Sequence, residues 1–231
     1  MQQERLRPQA NHEEAFMRIS IASTLALLVA TQAQAVTVLN GSFETGVAIG
    51  PSGIATLATD DTTSLPGWTI LADGVDYLDS SYVDASDGSR AVKLTTTSSG
   101  GITQRIGGFT AGRAYEIRFD LSSDPNDPQP RPFTSRMIVS ATGGGAQLYS
   151  YTVTGQNTPT NMLYEANRYR FTAGGEFANI QFRSLNNDEF GAILDNVTIA
   201  EVPEPASWAL LVLGFGLVGV AARRKAGPVT A

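Results

Sequence analysis

The chain has no cysteine and one histidine, His12. Without cysteine there is no disulfide, no thiolate metal site and no cysteine nucleophile. Because His12 lies near the N-terminus, residues 36–202 can hold no Ser-His-Asp triad and no histidine-based zinc site. Basic residues are scarce as well. Residues 36–202 carry 10 Arg and Lys against 18 Asp and Glu, a net charge of −8, while the whole chain is at −6. Nucleic-acid binding needs clustered Lys and Arg to neutralise phosphates, so that class is excluded. Long amphipathic helical patterns are missing from the same stretch. Two-carboxylate glycoside hydrolysis stays open because acids are plentiful, yet no pair stands out for it.

What is present is most distinct at the two ends. Near the C-terminus, Val202-Pro203-Glu204-Pro205 leads into an uncharged apolar run from Ala206 to Ala222, followed by Arg223-Arg224-Lys225. The run has 17 residues, about 25 Å of helix, enough to reach across a bilayer core. The basic cluster places residues 226–231 on the cytoplasmic side, and Trp208 at the opposite interface. A plain membrane anchor or a buried core helix fits the hydropathy too. The prolines hold the preceding segment extended. With its three parts in order, 203–225 resembles the PEP-CTERM sorting signal of Gram-negative bacteria. That resemblance implies export, recognition of Pro203, Glu204, Pro205, Arg223 and Arg224, and cleavage by an exosortase, a membrane-embedded thiol peptidase.

Residues 1–35 read as a signal peptide. Met17-Arg18 opens a positive region, Ile19–Ala30 is mostly apolar, and Ala33-Gln34-Ala35 matches a small-x-small cleavage site. An uncleaved N-terminal anchor is the alternative. Residues 1–16 are polar and carry both charges, so Met17 also reads as the start, with an extended gene model before it.

Residues 36–202 are then the exported module, a single-domain length. Tyr115, Ile117, Phe119 and Leu121 alternate with Glu116, Arg118 and Asp120, the period of a strand with one buried face. Ala178, Ile180 and Phe182 do the same. Further strands are expected over 91–94, 102–106, 136–141, 147–153, 168–171 and 194–199, with glycine-bearing turns between them. The proline-rich stretch 124–132 cannot enter a central strand. The fold class is therefore all-β, a two-sheet β-sandwich of the jelly-roll kind.

The ordered series Val38-Leu39-Asn40-Gly41-Ser42-Phe43-Glu44, Leu65-Pro66-Gly67-Trp68, Val75-Asp76-Tyr77, Asp87-Gly88-Ser89, Gly100-Gly101-Ile102-Thr103-Gln104 and Ala192-Ile193-Leu194-Asp195-Asn196-Val197 spans nearly all of the module. It resembles the choice-of-anchor C family of bacterial exported proteins and a related plant cell-wall family. The resemblance implies a galactose-binding-like jelly roll that binds and does not catalyse. It also implies a structural Ca²⁺ at Glu44 and Asp195, which could equally cap turns or pair with arginine. The plant disulfides do not carry over.

Stacking on sugar rings needs exposed aromatics. Trp68, Tyr77 and Tyr82 lie in or beside loop-like segments and are the candidate ligand contacts, with Tyr149, Tyr151 and Tyr164 behind them. Against this, Trp68 at a strand start reads more readily as a core residue, and Tyr77, alternating with Asp76, as half-buried. Asp73, Asp76, Asp79, Asp84 and Asp87 read as a solvated acidic loop. Three functions remain open: a surface or matrix protein that binds polysaccharide, a purely structural matrix component, and a polysaccharide-active enzyme.

Overall fold

The computed structural model describes residues 35–203 and 212–217. Eleven strands form two antiparallel sheets. Sheet A holds β1 (Ile54–Leu57), β3 (Val75–Asp79), β4 (Arg90–Lys93), β11 (Ala192–Glu201), β6 (Ala114–Ser123) and β9 (Glu165–Thr172), in that spatial order. Sheet B runs β2 (Thr69–Ala72), β5 (Gly100–Gly107), β10 (Phe177–Ser184), β7 (Phe133–Ala141) and β8 (Gln147–Val153).

One apolar core takes side chains from both sheets. The alternation along β6 supplies Tyr115, Ile117, Phe119 and Leu121, and β10 supplies Ala178, Ile180 and Phe182. A chain of aromatic rings crosses this core from Phe43 to Trp68 (5.5 Å between centroids), Phe182 (6.1 Å), Phe119 (5.4 Å) and Tyr149 (5.1 Å). Rings at such spacings add packing energy beyond their buried area. The expected strands are present, and 124–132 is indeed a connection, between β6 and β7.

Sheet A is also covered on part of its outer face. Leu78, Ala91 and Ile193 point away from the main core into a second cluster with Val83 and Met162. The cover is the segment between β3 and β4, joined to the β8–β9 connection where Asp84 N donates to Pro159 O at 2.7 Å. This cover leaves a groove on either side.

The N-terminal segment is fastened to both sheets. Gln104 of β5 takes the Leu39 N–H and donates to the Leu39 carbonyl, both at 2.8 Å. Val197 of β11 donates to Gly41 O at 2.8 Å. A Cβ on Gly41 would lie 2.0 Å from the Val197 carbonyl oxygen, so only glycine fits this approach.

Residues 212–217 are helical, with Val212, Leu213, Phe215 and Leu217 exposed. Among the described residues no helix is long and apolar enough to cross a membrane. The signal peptide expected over 1–35 and most of the span expected over Ala206–Ala222 lie outside the described residues.

Candidate functional site

Two of the three candidate sugar-stacking rings are buried, which corrects the reading of them as ligand contacts. Trp68 is 1% exposed; its ring packs between Phe43 and Phe182, and Nε1 donates to Asn40 O at 3.0 Å. The tight turn Leu65–Trp68, closed by Trp68 N on Leu65 O, aims the indole inward at the start of β2. Tyr77 is 0% exposed and donates its hydroxyl to Phe43 O. Neither ring offers a face to a sugar. Tyr149 and Tyr151 are buried too.

Tyr82 differs. It is half-buried, in the cover over sheet A, and lines an open groove of about 550 Å³. Phe190, just before β11, is the second aromatic lining it. Below them lies a charged cluster. Lys93 Nζ is 3.1 Å from Asp76 Oδ2 and 3.4 Å from Asp124 Oδ2, and all three residues are buried. Tyr82 donates its hydroxyl to Asp124 Oδ2 at 2.6 Å, and Thr56 donates to Asp76 Oδ1 at 2.7 Å. The ammonium also sits 5.6 Å from the centroid of the Tyr82 ring, within cation–π range. Burial, and then the Asp124 carboxylate, push the Tyr82 phenol well above its usual range, so it stays a donor. Ile54, Thr96, Thr97 and Glu189 complete the lining.

Local sequence explains this placement. Asp76 and Lys93 are register partners on β3 and β4 and share the outer face of sheet A with Leu78 and Ala91. The Asp-Pro-Asn stretch after β6 turns back on itself, Asn126 N donating to Asp124 Oδ1 at 2.9 Å. Asp76 is therefore no part of a solvated acidic loop, which corrects that expectation. Lys93, Asp124 and Phe190 are contributions the sequence did not flag. The available signal was Leu78, two residues from Asp76 and so on its face, because an outward leucine implies a cover.

Glu44 and Asp195 meet the same segment of that cover. Asp195 Oδ2 accepts the N–H groups of Ser86 (2.7 Å) and Asp87 (2.8 Å), and Oδ1 that of Asn196 (2.6 Å). Glu44 Oε1 accepts those of Ser89 and Arg90, both at 2.8 Å, and Oε2 the Ser89 hydroxyl at 3.0 Å. Ca²⁺ requires six to eight oxygen ligands. Here every carboxylate oxygen of the pair is met by an N–H or O–H donor, and among the described residues no three acidic side chains gather to hold a metal. The two residues thereby clamp this segment of the cover at both ends.

Similar solved structures are distant. TmCBM61, determined in complex with beta-1,4-galactotriose, is 16% identical with a TM-score of 0.47, covering 72% of this chain and 99% of that one. The Family 16 Carbohydrate Binding Module-2 is 14% identical at 0.41, covering 71% and 99%. The CBM22-1 xylan-binding domain from Paenibacillus barcinonensis Xyn10C is 15% identical at 0.39, covering 68% and 99%. Residues 201–225 match the PEP-CTERM protein-sorting motif, which marks the chain for exosortase-type export and surface sorting. Residues 36–200, both sheets included, match the model described as "Protein of unknown function (DUF642)", and the chain belongs to that family.

Proposed function

We propose that the chain is a non-catalytic surface protein whose sandwich binds polysaccharide in the groove over Lys93. The observation that carries this reading is the combination, in the lining of that groove, of two partly exposed aromatics, Tyr82 and Phe190, with Lys93, the carboxylates of Asp76 and Glu189, and the hydroxyls of Thr56, Thr96 and Thr97. Aromatic faces pack against pyranose rings, while such polar groups match vicinal hydroxyls and fix orientation. Binding suits the chemistry better than hydrolysis. Asp76 and Asp124 both pair with one ammonium, so neither is available as the separate acid and base that glycoside cleavage requires. The sorting motif supports a setting at the cell surface or in the extracellular matrix, where glycans are the abundant ligands.

The test is a glycan array probed with residues 36–202, then repeated with Tyr82→Ala and Phe190→Ala. At least one glycan should bind, with each variant weakened about tenfold or more, on the order of the 1.4 kcal/mol that one decade represents. Unchanged binding by both variants would remove the groove from the account. Failure of the parent to bind any glycan would leave a structural matrix component held by protein contacts.

A further inference from the structure

The second groove on the outer face of sheet A, about 590 Å³, lies over β11, β6 and β9 and carries the opposite charge bias from the rest of the chain. Arg118 of β6 and Arg168 of β9 are direct register partners and both line it. Like charges facing each other across a ladder are unfavourable unless something compensates them. For Arg118 the compensation is partial. Its Nε donates to Glu116 Oε1 at 2.7 Å, yet the side chain is 71% exposed. Arg170, the next outward residue of β9, donates its Nε to the other oxygen of Glu116, also at 2.7 Å. One carboxylate thus serves two guanidinium groups, and their hydrogen bonds hold it well below the usual carboxylate range. Arg168 is exposed, and among the described residues its side chain makes no hydrogen bond or ion pair. The acid lining the groove, Asp120, already accepts from Asn196 Nδ2 at 3.0 Å and from the Ser86 hydroxyl. Three arginines therefore gather beside two engaged acids, on a chain whose net charge is −6.

We infer that this groove binds the carboxylate of a uronic-acid unit in an acidic polysaccharide. A guanidinium presents a planar fork of donors that matches a carboxylate. Glu116 takes only the Nε of Arg118 and Arg170, which leaves their outer nitrogens for a ligand. Thr198 and Asn196, in the same groove, suit the neighbouring hydroxyls. An incoming carboxylate also relieves the repulsion between Arg118 and Arg168. The inference rests on the polysaccharide-binding reading for its ligand class, but it uses a different groove and different residues.

The test is calorimetric titration of the full chain with polygalacturonate, with the same polymer after reduction of its carboxyl groups, and with polyglutamate. Polygalacturonate should bind. Affinity should drop about tenfold for the reduced polymer and by a similar factor for Arg168→Gln, with a larger loss in Arg118→Gln/Arg168→Gln. Because the Arg168 side chain makes no bond among the described residues, Arg168→Gln should melt no lower than the parent, which separates lost binding from lost folding. Tyr82→Ala should leave the difference between the two polygalacturonate forms intact. Equal binding of the native and reduced polymers overturns the inference while leaving the polysaccharide reading in place. Polyglutamate binding as tightly as polygalacturonate overturns it in favour of an acidic protein partner. No binding of either sugar polymer overturns this inference, and silence across the glycan array as well would take the broader reading with it.

Discussion

Glu44 and Asp195 lie 151 positions apart in sequence and hold two ends of one short segment, Asp195 at Ser86 and Asp87, Glu44 at Ser89 and Arg90. Between them Gly88 takes φ +72°, and a Cβ there would come within 2.5 Å of the Glu44 carboxyl. With all four carboxylate oxygens taken by donors, added Ca²⁺ should not raise the melting temperature, nor a chelator lower it. A calcium-dependent shift of several degrees would restore the metal-site reading.

Stability should depend on pH through Asp195. Its side chain is fully buried, and burial pushes the carboxyl up to about 7 despite the three N–H bonds it accepts, against about 3.9 in an unfolded chain. A raised folded-state value means that the contribution to stability is complete below about pH 4 and is lost as pH rises through 7. Asp61 and Glu116 run the other way. Hydrogen bonds from Ser64 and Thr63, and from Arg118 and Arg170, hold them low, so their contribution disappears only in acid below about pH 4. The melting temperature should therefore fall from pH 5 to pH 8, and the slope should flatten in Asp195→Asn. The effect is bounded at about 4 kcal/mol, at about 1.4 kcal/mol per tenfold change in proton affinity. Parallel slopes in parent and variant would assign the dependence to another group, such as Asp188, which burial also raises.

Lys93→Met should cost about 3–5 kcal/mol, because it leaves Asp76 and Asp124 buried without their counter-ion. Chemical denaturation measures it directly. If the triple variant Lys93→Met/Asp76→Leu/Asp124→Leu recovers less than Lys93→Met alone, the stranded-charge explanation is wrong.

Trp68→Phe should lose about 1–3 kcal/mol, from the bond to Asn40 O and the smaller ring. Glycan affinity should be unchanged, since the indole is enclosed. Weaker binding without a change in fold would return Trp68 to the ligand site.

Glu204→Ala should leave a longer, membrane-retained species on a gel, because it alters the motif matched over 201–225. Processing identical to the parent would show that cleavage does not read this residue.

Strands with one dry and one wet face were plain in the sequence, as β8 and β10 show. The four- and five-residue β1, β2 and β3 were not. In β3 four consecutive residues, Val75 to Leu78, are buried, because the core takes one side and the cover the other. Alternation carries no signal in such a strand. The same cover hid the chemistry. Lys93 follows Val92 as a solvent-facing lysine would, and Asp124 sits in a proline-rich connection, yet both are under 4% exposed. Their pairing joins β4 to the end of β6, two places apart in the sheet, and only tertiary packing reveals it. Glu44 and Asp195 were singled out by the family resemblance, and both hold the segment from Ser86 to Arg90. Their role was not legible, because a carboxylate that accepts N–H bonds and one that holds a cation look alike in sequence.

The strand that leads into the sorting motif is β11, and it lies inside sheet A, between β4 and β6. Its last residues pair with Arg118 to Tyr115, and Val202 N donates to Ala114 O at 2.8 Å. Any tension on the tail, from a flowing medium or a pulling matrix, therefore enters the domain through an interior strand. The four residues nearest the tail, Thr198 to Glu201, pair with β6 alone, whereas Ile193 and Leu194 pair with β4 as well as β6, so the singly held end must open before the doubly held one. Such a load meets the firmer grip only at the far end of the strand, where Ile193 and Leu194 are flanked on both sides.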